Sequence, residues 1–368
     1  MKGLRTGNTT GLCAAAAAKA AATALLSSGP VTYVEVKNGG GALVRFPVTE
    51  TARKNGTVIC AVKKDAGDDP DITNGIKVFA AISKTDREGV EIDGGEGIGR
   101  VTKPGLKVEV GKAAINPVPL EMIRAAIEEA REPFGYTGGL KAVISVPDGA
   151  EIAKRTMNER LGIVGGLSIL GTTGVVEPMS LSAVVETIKA EIDVRIALGE
   201  KDLLVTPGNY GRDFAEKNLG LNIEEAVKCS NYIGEALDYA CMKGVPRFRL
   251  IGHAGKLVKL AGGLMNTHSS FGDCRMEIIA AHAALAGAGQ ETIRQIMSCV
   301  TTDAAIDILI ESGISKPVLA SIGEKLGFHL RERTKGKLCV EYIIFTQMHG
   351  VLIRGDTAEA GSGGQYDD

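Results

Sequence analysis

The first part of the chain alternates apolar and polar positions over short runs, a pattern that predicts half-buried β-strands. VTYVEVK and ALVRFPV form such a pair around Gly39–Gly41, which predicts a hairpin. TVICAVKKD and IKVFAAISK predict two further strands on either side of an aspartate-rich loop, and LKAVISVPDG predicts another.

Helical patterns lie between these strands. The run CAAAAAKAAATALLSS follows Thr9 and Thr10, either of which suits a helix N-cap, so we expect a folded helix there rather than an export signal. Pro117 after Asn116 suits the first turn of a helix that runs to about Arg131. LSAVVETIKAEIDVRIAL predicts the next helix. Helices mixed with hairpins indicate an α+β domain.

The pattern changes near residue 200. KDLLVTPGNYG and RFRLIGHAG predict strands with a helix from about Ile223 to Met242 between them, and helical patterns dominate residues 275–331. Strands that alternate with helices are typical of a parallel sheet wrapped by helices. LCVEYIIFTQMHGVLIRG predicts a terminal hairpin at the sheet edge. We therefore predict an α/β chain with an α+β N-terminal domain at 1–198, a Rossmann-like parallel-sheet C-terminal domain at 199–355 and a disordered tail at 356–368.

The composition and charge of the chain exclude some classes of binding partner. The 368 residues have a net charge of −2, which gives no global basic field for nucleic acid or an anionic membrane. Aromatic residues make up only 4%, which disfavours a stacking platform for bases. Seven cysteines show no CxxC spacing, so no disulfide framework or zinc pattern is readable. No apolar run reaches the ~20 residues of a membrane span, so we expect a cytoplasmic protein without a membrane partner.

Four aspartates follow a strand-like run in VKKDAGDDPDITNG, residues 62–75. A calcium loop of the EF-hand type that began at Asp65 would need glycine and glutamate where Pro70 and Ile76 stand. That type of site is excluded. Two interpretations remain open: the aspartates and prolines turn the chain by hydrogen bonding to their own backbone, or the carboxylates form an acidic rim that faces a substrate.

Two loops combine threonine with glycine. TGNTTG, residues 6–11, precedes the first helix, where N–H groups and the helix dipole favour an anion, although a plain helix cap explains it equally well. LGIVGGLSILGTTGVVEPMS carries Thr172 and Thr173 in a second such loop, and close packing of its glycines is the structural alternative. GGEGIG at 94–99 lacks the following helix of a dinucleotide loop, which predicts a turn or a loop that shapes a substrate site.

The C-terminal part offers the best cofactor candidates. VTPGNYGRDF and LIGHAGKLVKLAGG place glycines between a strand and a helix, where open parallel sheets bind ligands. The residues concerned are Gly208, Asn209, Gly211, Gly252, His253 and Gly255. His253 is a candidate base, an anion donor or a buried structural histidine. GHAGK is not a phosphate-binding loop, since Leu257 stands where that motif needs Ser or Thr. His268 lies near Asp273 and Cys274, but a solvated loop is favoured over a metal or thiol site there.

Several long segments, taken in order, resemble one family. LRTGNTTGLCAAAAAKAA, VKKDAGDDPDITNG, GGEGIGRVTKPGL, AINPVPLEMI, LGIVGGLSILGTTGVVEPMS and GHAGKLVKLAGG look like the cobalt-precorrin-5B methyltransferase family of anaerobic cobalamin synthesis, the CbiD type. The resemblance runs through residues 4–271. Asn8 departs from the aromatic residue expected at that position in the family's TGxTTG, which puts a stacking role there in doubt.

The resemblance implies that a methyl group passes from S-adenosylmethionine to carbon 1 of a ring-contracted cobalt corrinoid precursor, yielding cobalt-precorrin-6A and S-adenosylhomocysteine. Because the cobalt arrives inside the tetrapyrrole substrate, the protein need supply no metal site. The aspartates then either orient neighbouring groups, or one of them accepts the proton lost on methylation. The candidate catalytic residues are Asp65, Asp68 and His253.

A substrate with many carboxylates should be bound by N–H donors, hydroxyls and basic groups. The candidates are Thr6, Thr9, Thr10, Lys64, Asp69, Arg100, Lys103, Thr172 and Thr173. We expect the active site in a cleft between the domains, with the methyl donor on the C-terminal loops and the corrinoid on the N-terminal loops. A non-catalytic corrinoid carrier is the alternative. Homo-oligomer formation and hand-over of substrate from neighbouring pathway enzymes stay open.

Overall fold

A computed structural model of the chain describes residues 3–27, 29–222 and 225–358, without the side chains of Tyr210 and Arg212. The chain divides into two compact units, Met1–Leu181 and Ser182–Asp368. Each unit has a core of its own.

The first unit combines strands and helices, as predicted. Its strands are β1 (Gly7–Asn8), β2 (Tyr33–Lys37), β3 (Leu43–Lys54), β4 (Thr57–Lys63), β5 (Lys77–Thr85), β6 (Val90–Gly94), β7 (Arg100–Val101), β8 (Gly139–Ser145), β9 (Ile163–Val164) and β10 (Val175–Val176). Its helices are α1 (Thr10–Ser27), α2 (Pro117–Arg131) and α3 (Gly149–Ala153). Six strands form one sheet in the order β2-β3-β4-β5-β8-β6, in which only the β6–β8 pair is parallel.

Helix α1 is the centre of the first core. Its alanines from Ala14 to Ala18 are at most 1% exposed and pack among residues of the sheet and of α2. Small side chains let the helix approach its neighbours closely. Because these alanines are buried on every side, the run has no polar face. By length and composition α1 is one helix that could span a membrane, contrary to our expectation from the sequence, but 72% of it is buried inside the unit. It is therefore a core helix in this structure.

The second unit is built around a mostly parallel sheet. Its elements are α4 (Leu181–Ala197), β11 (Asp202–Thr206), α5 (Asn209–Leu219), β12 (Val227–Lys228), α6 (Ile233–Met242), β13 (Arg247–His253), α7 (Ala254–Ala261), α8 (Arg275–Leu285), α9 (Gln290–Ser298), α10 (Thr302–Glu311), α11 (Ser315–Thr334), β14 (Cys339–Thr346) and β15 (Gly350–Asp356). The strand order is β12-β11-β13-β14-β15. Strands β12, β11, β13 and β14 run parallel, and β15 pairs antiparallel with β14.

This arrangement confirms the α/β class and the terminal hairpin, of which only β15 lies at the sheet edge. The predicted helix from Ile223 to Met242 is wrong in its first half, because Val227 and Lys228 pair with β11 as a strand and the helix begins at Ile233. Ile223 itself lies outside the described residues, as does the predicted tail beyond residue 358.

The predicted boundary after residue 198 also needs correction. It would place α4 in the first domain, whereas the two units divide between Leu181 and Ser182. Ile188 and Ile192 of α4 are 2% and 0% exposed and belong to the core of the second unit. The apolar stripe of α4 was recognisable in the sequence, but the stripe does not say which core it joins.

Candidate functional site

In the first unit, three loops meet at the beginning of α1. The Asn8 N–H donates to the Asp65 carbonyl at 2.7 Å, and the Thr9 N–H donates to the Gly174 carbonyl at 3.0 Å. The Gly11 N–H donates to the Leu170 carbonyl, also at 3.0 Å. The TGNTTG segment, the aspartate loop and the second threonine–glycine loop are thus brought together by backbone hydrogen bonds.

Glycines permit this close approach. A Cβ on Gly7 would lie 2.0 Å from the carbonyl carbon of Ala66, so any larger residue would push the two loops apart. Gly67 has a φ of +69°, and a Cβ there would lie 2.1 Å from the Arg5 carbonyl oxygen. Both positions therefore require glycine, one for space and the other for space and conformation.

Asp65 forms a bidentate ion pair with Arg5. Arg5 Nη1 and Nη2 donate to the two carboxylate oxygens at 2.6 and 2.9 Å, and the Gly67 N–H donates at 2.9 Å. These hydrogen bonds, that of Arg5 above all, lower the pKa of Asp65 to about 2. A carboxylate with so low a pKa is a weak proton acceptor. The geometry thus gives Asp65 a role in shaping the loop.

Asp68 and Asp69 also accept backbone hydrogen bonds. Asp68 Oδ2 accepts from the Arg5 N–H at 2.6 Å, and Asp69 Oδ1 accepts from the Met179 N–H at 2.8 Å. The side chain of Asp68 remains exposed. These contacts support the interpretation that the aspartates turn and fasten the chain, and they leave Asp68 in contact with solvent.

Lys64 does not face solvent, contrary to the role predicted for it in substrate binding. Its side chain is 1% exposed, and Nζ donates to Asp71 Oδ2 at 2.5 Å. Asp71 Oδ1 accepts from the N–H and the hydroxyl of Thr73 at 2.7 and 2.6 Å. Burial raises the pKa of Asp71, but the hydrogen bonds from Lys64 and Thr73 outweigh it, so that the net shift is downward. The Lys64–Asp71 ion pair therefore stabilises the loop from within.

The threonines divide into structural and exposed groups. Thr9 caps α1, since its hydroxyl accepts from the Leu12 N–H at 3.2 Å, and Thr10 Oγ1 accepts from the Leu170 N–H at 3.0 Å. Both are nearly fully buried. Thr6 and the residues at 172–173 are exposed and are the hydroxyls of this group that a ligand could reach.

The GGEGIG segment packs closely against neighbouring backbone. Gly97 has a φ of +70°, and a Cβ there would lie 1.8 Å from the Val146 carbonyl oxygen, so the loop fits only because the side chain is absent. Arg100 follows it and forms a two-pronged pair with Asp93 at 2.8 and 3.0 Å. Lys103 Nζ donates to the Arg160 carbonyl at 3.3 Å. Arg100 is exposed and Lys103 is half-buried.

In the second unit, the predicted cofactor loops lie at the carboxyl ends of two neighbouring parallel strands. Gly208 and Asn209 follow β11, and His253 to Gly255 join β13 to α7. The chain leaves β11 for β12 on one side and reaches β13 on the other, so the strand order reverses here. Open α/β sheets bind ligands at this position, outside the carboxyl ends of the strands.

His253 is fixed by contacts within the unit. Its Nδ1 accepts from the Gly255 N–H at 3.1 Å, which caps α7, and its Nε2 lies 3.8 Å from Asp303 Oδ2. Burial lowers the pKa of His253, although Asp303 opposes the shift. The neutral ring therefore carries its proton on Nε2 and has no free acceptor nitrogen. This arrangement favours the structural interpretation over the general base.

Three further residues at this edge were not singled out from the sequence. Lys256 Nζ donates to the Pro207 carbonyl at 2.6 Å, and Lys228 Nζ donates to Asn209 Oδ1 at 2.7 Å. Thr206, the last residue of β11, is fully buried. The position of Lys256 directly after the GHAG turn was a usable signal, whereas Lys228 becomes recognisable only once β12 is placed beside β11.

The remaining candidates form no metal centre. Within the described residues there is no group of three or more His, Cys, Asp or Glu side chains that could hold an ion. His268 Nδ1 contacts the Ser270 hydroxyl at 2.7 Å, and Asp273 pairs with Arg275. Two open depressions of about 730 and 710 Å³ lie elsewhere in the second unit, one at the amino ends of β11, β13 and β14 and the other along α7, α8 and α11.

The second unit thus has the fold and the loop placement of a ligand-binding α/β unit, and comparisons with known proteins identify the family. A family model described as CbiD matches residues 1–178, and one described as CbiD, C-terminal domain, matches residues 266–356. The chain belongs to the CbiD family.

Relatives match over almost the whole chain. The cobalt-precorrin-5B C(1)-methyltransferase of Ruminiclostridium cellulolyticum is 53% identical over 351 residues, which cover 95% of this chain and 91% of the relative. The protein of the same name from Methanocaldococcus jannaschii is 44% identical, covering 90% and 91%. A crystal structure of a cobalamin biosynthesis protein (CbiD) from Archaeoglobus fulgidus is 32% identical, covers 76% of this chain and 85% of that one, and has a TM-score of 0.39.

Proposed function

We propose that this protein is a methyltransferase that adds a methyl group from S-adenosylmethionine to carbon 1 of cobalt-precorrin-5B, giving cobalt-precorrin-6A in the cytoplasmic, anaerobic synthesis of cobalamin. The observation that carries the proposal is the 53% identity over 95% of the chain to a relative named for this reaction. The identity extends along both units and supports the same class of reaction.

The second unit suits the methyl donor. Gly208, Asn209, Gly211, Gly252, His253 and Gly255 lie at or beside the carboxyl ends of β11 and β13, the position at which this type of sheet binds nucleosides. A Cβ on Gly252 would lie 2.9 Å from both Leu257 and Pro207, and one on Gly211 would lie 2.8 Å from the Ile251 carbonyl oxygen. Those two glycines serve close packing, and Gly208, where a Cβ would meet only Lys256 Nζ at 3.8 Å, is the one that leaves space for a ligand.

The first unit supplies groups for the corrinoid. Its exposed hydroxyls at Thr6, Thr172 and Thr173 border the loops at the start of α1, and Arg100 and Lys103 provide positive charge for the carboxylates on the rim of the macrocycle. Lys64, Thr9 and Thr10 act indirectly, because their polar atoms are used to hold the loops together.

The chemistry depends chiefly on alignment. S-adenosylmethionine supplies an activated methyl group, and the chain has to hold the accepting carbon in line with it. Positioning alone is worth up to about 7–11 kcal/mol of barrier. Loops fixed by close-packed glycines and by the Arg5–Asp65 pair suit that task. Of the three candidate catalytic residues, Asp65 has both carboxylate oxygens engaged by Arg5 and His253 has its acceptor nitrogen engaged by Gly255. The exposed Asp68 accepts from the Arg5 N–H through Oδ2 alone, so its other oxygen is the candidate proton acceptor.

Binding and turnover together test the proposal. Calorimetry with S-adenosylhomocysteine should give measurable heat, because a methyltransferase binds the spent donor, whereas a non-catalytic corrinoid carrier would not. Anaerobic incubation with the cobalt substrate and labelled S-adenosylmethionine should then transfer one methyl group. A protein that binds the corrinoid but neither binds S-adenosylhomocysteine nor transfers the label would be a carrier.

A further inference from the structure

The beginning of α5 lacks a side-chain cap. Gly208 stands at the N-cap position and has no side chain to accept from the first-turn N–H groups. The first N–H groups of a helix have no acceptor within the helix and, with the helix dipole, favour a negative charge. A Cβ on Gly208 would meet only Lys256 Nζ, at 3.8 Å, so the place beside the helix start is open.

Two ammonium groups lie beside this helix start. Lys256 Nζ is held by the Pro207 carbonyl and Lys228 Nζ by Asn209 Oδ1, both uncharged acceptors. In the described parts of the chain neither forms an ion pair with a carboxylate, although the Lys228 N–H donates to Glu191 Oε2 at 3.0 Å. Burial lowers the pKa of Lys256. Two partly buried cations without carboxylate partners therefore flank an uncapped helix start.

A buried threonine without a hydrogen-bond partner lies beside the same helix start. Thr206 is 0% exposed, and its Oγ1 has no hydrogen-bond partner among the described residues. Its side chain lies against the first turn of α5, since a Cβ on Gly211 would be 3.3 Å from Thr206 Cβ. A buried hydroxyl without a partner costs free energy, so it is retained where something else supplies the partner.

We propose that the first turn of α5, Lys256, Lys228 and Thr206 form a subsite for the carboxylate of the amino-acid end of the methyl donor. This inference rests on the proposed function and adds to it the residues that recognise one end of the donor. The subsite lies where the strand order reverses, which places the nucleoside end along the carboxyl edge towards Gly255. Uncapped N–H groups and two cations attract a carboxylate and can donate hydrogen bonds to it.

Thr206→Val tests the hydroxyl with a readout other than activity. Valine has nearly the same shape and removes a group that has no partner in the free protein, so the free variant should unfold about 2–4 °C above the wild type. Its affinity for S-adenosylhomocysteine should nevertheless fall. Thr346→Val is the matched control, because Thr346 is equally buried at the end of β14 but its hydroxyl already accepts from the His349 N–H at 3.0 Å. The control should lose stability and keep its affinity.

Lys256→Met tests the charge with two probes. S-adenosylhomocysteine carries the amino-acid end, and 5′-methylthioadenosine has the same nucleoside without it. Loss of one charge-assisted contact should weaken S-adenosylhomocysteine by about tenfold and leave 5′-methylthioadenosine unchanged. Isothermal titration of the full chain measures both.

The outcomes separate the subsite from the reaction. A lower unfolding temperature of free Thr206→Val, or equal weakening of both probes by Lys256→Met, would overturn the subsite. A wild-type protein that transfers the methyl group while Lys256→Met binds S-adenosylhomocysteine normally would overturn the subsite and leave the methyltransferase standing. A wild-type protein that binds neither probe would overturn both.

Discussion

Lys64 provides a sharp test of how the aspartate loop is held. In Lys64→Met the side chain keeps its apolar length but loses the charge, and Asp71 is left without its 2.5 Å partner. Removing one member of a buried ion pair costs about 3–5 kcal/mol. Asp71 is 23% exposed and keeps its two hydrogen bonds from Thr73, so we expect a cost near the lower limit, about 3 kcal/mol.

Hydrogen exchange of the segment that contains β4, the loop and β5 measures this loss locally. A cost of about 3 kcal/mol should speed exchange of its protected amides by roughly a hundredfold or more, because each 1.4 kcal/mol is a factor of about ten. Lys63→Met is the matched control, since the neighbouring lysine is exposed and its loss should change little. Exchange in Lys64→Met that equals exchange in Lys63→Met would refute the buried pair and restore Lys64 as a candidate for the substrate.

Three further predictions concern the first unit. Gly97→Ala should destabilise it on the order of 4 kcal/mol, seen as a lower urea midpoint, because the added Cβ would lie 1.8 Å from the Val146 carbonyl oxygen. The folded pKa of Asp65 is below its unfolded value of about 3.9, so its contribution is present above that pH and is lost as the pH falls towards about 2. Asp65→Asn should accordingly lose less stability than the wild type over that interval in urea titrations at several pH values; an equal loss would contradict the role of Arg5. Asp68→Asn should lower methyl transfer and leave S-adenosylhomocysteine binding unchanged, and full turnover would remove Asp68 as the proton acceptor.

Elements with strong local signals could be predicted from the sequence. Pro117 after Asn116 predicted a helix to Arg131, and the structure has Pro117–Arg131. The capping threonine before the alanine run and the turn glycines between alternating strands gave α1 and the β2–β3 hairpin. Each of these signals depends on residues a few positions apart, so it is visible without knowing the fold.

The contacts that decide the site join distant residues and were not predictable. Arg5 and Asp65 are 60 positions apart, and nothing in the sequence pairs them. The burial of Lys64 did have a signal, because Val58, Cys60 and Val62 are buried at every second position of β4 and Lys64 continues that alternation. The sequence interpretation assigned Lys64 to substrate binding because of its positive charge. Its position in the strand alternation was the better indicator, since that position is buried.

The most direct test of the account is the methyl transfer itself. Purified protein is incubated anaerobically with cobalt-precorrin-5B and S-adenosylmethionine labelled on the methyl group, and the corrinoid product is examined by mass spectrometry and NMR. We predict a product that carries one labelled methyl group at carbon 1, formed together with S-adenosylhomocysteine. An unlabelled corrinoid with the donor unconsumed, or a label on another atom of the macrocycle, would contradict the account.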